Sequence, residues 1–264
     1  MDRIKKTFNQ LKLNNNTALV GFVTAGDPNV DTSLQIISAM CENGIDVLEL
    51  GVPFSDPTAD GPVIQRSSAR ALQHNVSLKI VLEMIRKIRA NTSIPIIIFS
   101  YYNPILAYGI DAFYPDAVDA GADGVPVVDL PMEEAGELTS QWPEDEFSLI
   151  NLVAPTTPKD RMAKIAKSAS GFLYLVSKTG VTGSDGLDTA EVETQMDILR
   201  SVTDLPVCVG FGISTAEDVA AVASLADGVV IGSAFERLIE ENIQSPDLPK
   251  IVGQTTADYK RATK

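Results

Sequence analysis

The sequence predicts an α/β fold in which eight parallel strands form a closed barrel and a helix follows each strand. Eight short apolar runs alternate with helical segments along the 264 residues, and continuous apolar runs are typical of parallel strands buried on both faces. Eight such units in this length are typical of a (β/α)8 barrel. The alternative, an open doubly wound sheet, predicts a glycine-rich fingerprint after the first strand, where the chain instead reads AGDP.

Strands and helices alternate without a break after an additional N-terminal helix. That helix, predicted over 1–13, has Ile4, Phe8 and Leu11 at helical spacing and is expected to cover one end of the barrel. The predicted strands are 18–24, 45–50, 95–99, 123–128, 147–153, 172–177, 206–210 and 228–231. The other predicted helices are 30–42, 62–72, 78–90, 112–120, 133–141, 158–168, 191–202, 215–224, 235–242 and 248–261. No linker separates them, so we expect one domain over 1–264.

Composition excludes several classes of partner. The net charge of −14 argues against nucleic acid or an anionic membrane surface, because both require a basic face. The two cysteines, Cys41 and Cys208, have neither disulfide nor metal-site spacing, and we expect no bound metal. With no signal peptide and no apolar run near 18 residues, the sequence predicts a soluble cytoplasmic protein.

Glu49, near the end of the second strand, is the first candidate for chemistry. In such a barrel the active site lies at the C-terminal ends of the strands. Val47 and Glu49 share one face of the strand, while Leu48 and Leu50 share the other. If the leucines pack against helices, Glu49 projects into the barrel mouth, where desolvation raises a carboxyl pKa towards neutrality. The alternative is an internal ion pair, but no Lys or Arg is evident at the ends of strands one to five.

The loop after this strand carries two further acids, Asp56 and Asp60. Asp60 precedes Gly61 and Pro62 at a predicted helix start, so it is a second candidate for proton transfer or simply a helix cap. Asp56 precedes Pro57 and fits an Asx turn. The local sequence leaves these alternatives open.

Three glycine-bearing loops follow the last three strands and predict a phosphate subsite. They read SKTGVTGS at 177–184, GFGIS at 210–214 and IGSA at 231–234. Their backbone N–H groups can converge on one anion, and Gly232 and Ser233 would lie at a helix N-terminus, where the dipole attracts an anion. Glycines also serve tight turns between strand and helix, which is the alternative.

These motifs together resemble the tryptophan synthase alpha chain family, in order, from about residue 18 to 235. The matching motifs are FVTAGDP at 22–28, LELGVPFSDP at 48–57 with ADGP at 59–62, YYNP at 101–104, DLP at 129–131, GVTG at 180–183 and GFGI at 210–213. The resemblance implies cleavage of indole-3-glycerol phosphate to indole and glyceraldehyde 3-phosphate, a lyase reaction of L-tryptophan biosynthesis that needs no metal or cofactor in this chain.

The resemblance also implies roles for individual residues. Glu49 is the expected acid and base at the indole carbon and the side-chain hydroxyl, and Asp60 accepts the indole N–H. Thr182 is expected to close onto Asp60 when substrate is bound. The residues expected to hold the phosphate are Gly183, Gly212, Gly232 and Ser233. Those expected to wall the indole and its side chain are Phe22, Ile64, Tyr174 and Phe211.

A partner is implied as well: a beta chain that carries pyridoxal phosphate and uses the indole, in an alpha2-beta2 heterotetramer. The residues expected to face it are Pro53, Asp56, Asn103, Asp129 and Pro131. Alternatives are a stand-alone indole-releasing lyase, an epimerase and a catalytically idle chain that activates its partner. An epimerase requires metal ligands, which a chain with one histidine supplies poorly. The intact Glu49, Asp60 and phosphate loops argue against an idle chain.

The chain departs from the family pattern at three places. Pro126 lies within the predicted fourth strand, where its missing N–H is expected to end the strand early or cause a bulge. Phe99 and Ser100 replace a more usual Met-Thr, which we expect to place a smaller hydroxyl near the pocket. Lys178 precedes the GVTG motif where some relatives have Arg, and it is assigned no role.

Overall fold

The computed structural model describes residues 2–140, 142–143, 146–177, 189–210 and 212–264. Within these ranges, nine parallel strands form one nearly closed barrel with helices around it. The strands are β1 (Ala18–Thr24), β2 (Val47–Gly51), β3 (Ile96–Phe99), β4 (Gly124–Val125), β5 (Ser148–Leu149), β6 (Asn151–Val153), β7 (Leu173–Val176), β8 (Val207–Gly210) and β9 (Gly228–Ile231). The predicted parallel barrel is therefore confirmed.

Twelve helices lie in the described part of the chain. They are α1 (Arg3–Leu13), α2 (Val30–Glu42), α3 (Pro62–Gln73), α4 (Leu78–Arg89), α5 (Tyr102–Tyr108), α6 (Ile110–Ala120), α7 (Ala135–Thr139), α8 (Lys159–Ser168), α9 (Thr189–Arg200), α10 (Ala216–Ala223), α11 (Ser233–Glu241) and α12 (Leu248–Ala262). None of them is long and apolar enough to cross a membrane.

The barrel closes through the predicted fifth strand, which is divided into β5 and β6 at Ile150. The strand order is β5-β4-β3-β2-β1-β9-β8-β7-β6. β5 pairs with β4, whereas β6 pairs with β7. The Ile150 N–H donates to the Val125 carbonyl at 3.0 Å. The same short segment thus joins both ends of the sheet, and its change of partner explains why nine strands replace the expected eight.

The fourth strand is shorter than the predicted 123–128, as expected from Pro126. β4 ends at Val125 because proline has no N–H to donate to the ladder. The Pro126 carbonyl still accepts the Ser100 N–H at 3.2 Å, and Val127 forms an isolated bridge with Ser100. The chain therefore stays beside the end of β3 after the regular strand has ended.

Two helices differ from the prediction. α5 was not predicted, because its YYNP start resembles a turn. Its Pro104 occupies the first helical turn, where a missing N–H costs no intrahelical hydrogen bond. The predicted helix 133–141 is reduced to the five residues of α7. Both differences lie after β3 and β4, at the C-terminal end of the barrel.

The two ends of the barrel differ, and this difference determines where a site can form. Ile4 and Phe8 of α1 are buried within the interior cluster, and the Phe8 and Phe172 ring centroids lie 5.7 Å apart. α1 therefore covers the N-terminal end, as predicted. On β2, Val47 belongs to the interior cluster while Leu48 and Leu50 belong to the core between sheet and helices.

Burying each of these leucines stabilises the fold by about 1.5–3 kcal/mol, so β2 cannot turn them towards solvent. The two-residue period of the strand then points Glu49 into the barrel. There it lies opposite Phe22 of β1 on one side and Ile97 of β3 on the other. The predicted facing of this strand is thus confirmed.

Candidate active site

A cavity at the C-terminal end of the barrel collects most of the predicted site residues that the structure describes. Of these, Phe22, Glu49, Asp60, Ile64, Tyr174, Gly212, Gly232 and Ser233 line it, together with Gly61, Phe99, Ile213 and Val230. A larger cavity of about 670 Å³ lies at the opposite end, beside α1, and none of the predicted site residues that the structure describes lines it. The chemistry-bearing groups therefore meet at one end of the barrel only.

Glu49 is an acid in an apolar environment. It is fully buried, and neither carboxyl oxygen has a hydrogen-bond partner among the described residues. Burial raises its pKa from 4.5 to about 8, because the charged form is desolvated and nothing nearby compensates it. No described Lys or Arg forms a salt bridge with it, which removes the alternative of an internal ion pair. Glu49 is therefore mainly protonated at neutral pH and able to donate a proton.

Asp60 lies in the loop between β2 and α3, on the other side of the cavity. Burial raises its pKa from 3.8 to about 6, and a hydrogen bond from the Tyr101 hydroxyl opposes this increase. The same hydroxyl accepts the Ala59 N–H at 3.0 Å, so it holds two consecutive loop residues. The helix cap is Gly61, and no side chain caps this helix. Asp60 is thus an ionised acid at neutral pH rather than a cap.

Asp56 lies in the same loop but outside the cavity. Its side chain is exposed and accepts the Ser55 hydroxyl at 2.6 Å. The turn here is closed by the backbone, since the Thr58 N–H donates to the Asp56 carbonyl at 2.9 Å. Two acids that are four positions apart therefore have different surroundings.

Aromatic rings wall the space between Glu49 and Asp60. The Phe22 and Phe99 rings meet edge to face with centroids 5.3 Å apart, and Phe99 and Tyr174 lie 6.4 Å apart. Phe99 was missed as a site residue, although it ends β3 on the same face as Ile97, as the two-residue period predicts. Ser100, expected near the pocket, instead donates its buried hydroxyl to the Tyr101 carbonyl at 2.8 Å. Flat apolar walls of this kind accept an aromatic ring.

The opposite wall consists of a helix N-terminus and a glycine loop. Gly232 precedes α11, and Ser233 is its first residue, so free backbone N–H groups and the helix dipole face the cavity edge. Gly212 has a φ of +78°, which favours glycine, and no atom of the described residues lies within 4 Å of a Cβ built there. This geometry suits an anion such as phosphate. Thr182, Gly183, Phe211 and Lys178 lie outside the described residues.

The residues expected to face a partner lie on neighbouring loops at the same end of the barrel. Asp56, Asn103, Asp129 and Pro131 are exposed, whereas Pro53 is buried, so its side chain does not contribute to that surface. Asp129 accepts the Tyr102 N–H at 2.7 Å, which connects the loop after β4 to the start of α5. These exposed loops therefore adjoin the cavity.

Comparisons with known proteins identify what this arrangement is similar to. A family model described as tryptophan synthase alpha chain matches residues 8–261. The tryptophan synthase alpha chain of Desulfatibacillum aliphaticivorans is 62% identical over 264 residues, covering 100% of both chains. That of Geobacter sulfurreducens is 48% identical over 240 residues, covering 91% of each.

Solved structures of tryptophan synthases are also similar to this chain over its full length. The crystal structure of tryptophan synthase subunit alpha from Legionella pneumophila str. Paris matches with a TM-score of 0.91 at 40% identity, covering 100% of this chain and 98% of that one. A tryptophan synthase from M. tuberculosis in its aminoacrylate-bound form matches with a TM-score of 0.89 at 30% identity, covering 100% of both chains.

Proposed function

The chain belongs to the tryptophan synthase alpha chain family, and we propose that Glu49 and Asp60 together carry out the reaction of that family in the described cavity. The reaction is the lyase cleavage of indole-3-glycerol phosphate to indole and glyceraldehyde 3-phosphate. The observation that carries this assignment is the convergence of a neutral buried acid, an ionised acid, aromatic walls and a helix N-terminus on one cavity.

The different environments of the two acids suggest how the protons move. Glu49, protonated at neutral pH, donates its proton to carbon 3 of the indole, and positive charge develops on the ring nitrogen. The Asp60 carboxylate accepts the indole N–H and stabilises that charge. The Glu49 carboxylate then removes the proton of the neighbouring side-chain hydroxyl. The bond between indole and side chain breaks, its electrons return to the ring, and the hydroxyl carbon becomes an aldehyde.

This sequence of steps balances without an added reagent. One proton leaves Glu49 for carbon 3, and one proton returns to Glu49 from the hydroxyl. No electron acceptor is required, and Glu49 and Asp60 supply the proton transfers and charge stabilisation that these steps need. Gly212, Gly232 and Ser233, with Gly183, would hold the phosphate, while Phe22, Ile64, Tyr174 and Phe211 would enclose the indole. Thr182 would close over Asp60 and exclude water.

Family membership implies a beta-chain partner. We infer that this partner carries the pyridoxal phosphate, that two chains of each kind assemble, and that the complex works in the cytoplasm. Asp56, Asn103, Asp129 and Pro131 would contact the partner. Since Asp56 shares its loop with Asp60, the partner can influence the acid without touching the cavity.

Indole release from indole-3-glycerol phosphate by the purified chain, with and without a beta chain, tests this function. We expect weak activity alone and strong activation by the partner. Glu49→Gln and Asp60→Asn should each lower kcat by a factor on the order of 10²–10⁴, the usual contribution of a positioned acid or base. Asp119→Asn is the matched control, because its carboxylate is 75% exposed on α6.

The outcomes separate the alternatives. Undiminished activity of Glu49→Gln would contradict the mechanism. High activity alone, unchanged by a beta chain, would identify a stand-alone lyase. Activation of the partner without any indole release from this chain would identify a catalytically idle subunit.

A further inference from the structure

Glu236 on α11 is a buried acid that the proposed reaction does not use. It is fully buried, one turn after Ser233. Its Oε1 accepts the Thr24 N–H at 2.5 Å, while Oε2 has no hydrogen-bond partner in the part of the chain that the structure describes. Burial first, and then the charge of Asp27, raise the pKa of Glu236 well above its usual value. Burial therefore favours the neutral form of this carboxyl group.

Asp27, the other member of this pair, is held by Arg70. Its buried carboxylate accepts two hydrogen bonds from Arg70, from Nε to Oδ1 and from Nη2 to Oδ2, each at 2.8 Å. Bidentate contacts of this kind strongly favour the carboxylate. With its pKa raised, Glu236 favours the protonated form, and Oε2 is the atom left to donate that proton towards the neighbouring Asp27 carboxylate. This assignment satisfies the otherwise unpartnered atom.

The same contacts join three separate elements. Arg70 on α3 also donates from Nη1 to Glu240 at 2.8 Å, and Arg66 donates two hydrogen bonds of 2.7 Å to Glu240. The Thr24 and Ser67 hydroxyls lie 2.7 Å apart. We call the group the Glu236 cluster. It comprises Thr24, Asp27, Arg66, Ser67, Arg70, Glu236 and Glu240.

Charge balance explains why Glu236 is neutral in this cluster. Two guanidinium groups, of Arg66 and Arg70, face the carboxylates of Asp27 and Glu240, so a third negative charge would be uncompensated. An uncompensated buried charge is strongly destabilising. Arg66 and Arg70 join α3 to Glu240 of α11 directly, and Glu236 adds the link from α11 to Thr24 at the end of β1.

These helices carry the two ends of the proposed substrate site. α3 starts at Pro62, just after Asp60, and its Ile64 lines the cavity while accepting the Ser67 hydroxyl at 2.9 Å. α11 starts at Ser233, which lines the cavity at the anion side. We propose that Glu236 is a positioning residue: its contact with the end of β1 holds the N-terminus of α11 at a fixed distance from Asp60. The inference rests on the proposed function, because it requires one molecule to span both ends.

A purely structural role for Glu236 would affect ligand binding differently. If Glu236 only filled space, its substitution would weaken the binding of phosphate and of indole together, or would weaken neither. A positioning role leaves each half intact and changes their separation. A small change in the distance between the two ends weakens the binding of a ligand that contacts both ends. It has much less effect on the binding of a fragment that contacts only one end.

The test compares two substitutions of similar size. Glu236→Gln keeps the Thr24 contact through its amide oxygen, and its amide nitrogen presents a donor towards Asp27, as a protonated carboxyl group would. Glu236→Met is unbranched and of similar volume but removes both. Calorimetry measures binding of inorganic phosphate, of indole and of a non-cleavable indolylalkyl phosphate that spans the site. Where Glu236→Met does not fold, Glu236→Asp replaces it, because it keeps the acid but shortens its reach.

We expect phosphate and indole to bind within about twofold of wild type in every variant. The spanning ligand should bind about tenfold more weakly to Glu236→Met, and within about twofold of wild type to Glu236→Gln. The positioning role would be overturned if both variants bound the spanning ligand equally weakly, or if Glu236→Met bound it normally. It would also be overturned if phosphate and indole binding were lost in parallel. Because these measurements need no turnover, a wild type that binds the spanning ligand without cleaving indole-3-glycerol phosphate would contradict the proposed function alone.

Discussion

The hydroxyl of Tyr101 donates a hydrogen bond to the carboxylate of Asp60 while accepting one from the Ala59 N–H. Tyr101 is 3% exposed and its ring lies 5.3 Å from that of Phe54, so its position is set by packing after β3. The loop after β2 is therefore held by a residue from the neighbouring strand. This contact places Asp60 at the cavity and keeps its pKa from rising further.

Tyr101→Phe should weaken catalysis most at low pH. Without the phenol, the pKa of Asp60 rises above about 6, so a smaller fraction is ionised in acid, and the Ala59 N–H loses its acceptor. A hydrogen bond to a charged group contributes about 1.5–3 kcal/mol, so we expect kcat/KM at pH 6 to fall about tenfold, with a smaller loss at pH 8. Steady-state indole release across this range measures the effect.

The control is Tyr114→Phe, which removes a phenol–carboxylate contact of 2.7 Å to Glu146 outside the cavity. Its pH profile should match wild type. An unshifted acid limb in Tyr101→Phe would show that the phenol does not tune Asp60.

Glu49→Gln should stabilise the protein while abolishing activity. The pKa of Glu49 is about 8 in the fold against 4.5 ordinarily, so the native state binds more protons between these values. Wild-type stability therefore falls as pH rises through this window, a loss of about 3 kcal/mol by pH 7. The amide cannot ionise and avoids this cost. We therefore expect the free energy of unfolding of Glu49→Gln to exceed that of wild type by about 1–3 kcal/mol at pH 7, with only a small difference near pH 5. Urea unfolding at both pH values measures it.

Asp119→Asn should show no such pH-dependent gain, since its carboxylate is 75% exposed. A Glu49→Gln protein that is less stable than wild type at pH 7 would contradict the isolated, uncompensated environment of this acid.

The wild-type pH profile of kcat/KM should be bell-shaped. The acid limb follows ionisation of Asp60, with a pKa of about 6, and the alkaline limb follows loss of the Glu49 proton, with a pKa of about 8. Activity therefore rises as pH increases past 6 and falls past 8. Asp56→Asn, with its exposed carboxylate, should leave both limbs in place. A profile that stays flat from pH 5 to 9 would exclude this division of roles.

Gly51→Ala should disturb the indole wall without touching either acid. A Cβ at Gly51 would lie 2.6 Å from the Phe22 Cζ, so the ring must move towards the cavity. Overpacking of this kind typically costs about 1–3 kcal/mol, and we expect KM for indole-3-glycerol phosphate to increase about tenfold. Gly136→Ala is the matched control, because a Cβ there meets no atom of the described residues within 4 Å. Equal KM values in both variants would argue against Phe22 as a wall.

Sequence patterns predicted the barrel and the inward direction of Glu49 because both depend on local periodicity. The two-residue period that separates Val47 and Glu49 from Leu48 and Leu50 is visible in the chain itself. The same period would have identified Phe99 as a wall residue. The division of the fifth strand at Ile150 was not predictable in this way, since it reflects which neighbours the strand meets on each side.

The sequence by itself determined which residue types stand at the strand ends: an acid near the end of β2, aromatic residues on β1 and β7, and glycines after β8 and β9. Only the tertiary structure decided what surrounds them. That Glu49 has no polar partner among the described residues, that Tyr101 holds the loop of Asp60, and that Glu236 binds the Thr24 N–H all depend on contacts between distant segments. Barrel closure and strand register create those contacts, and no local pattern specifies them.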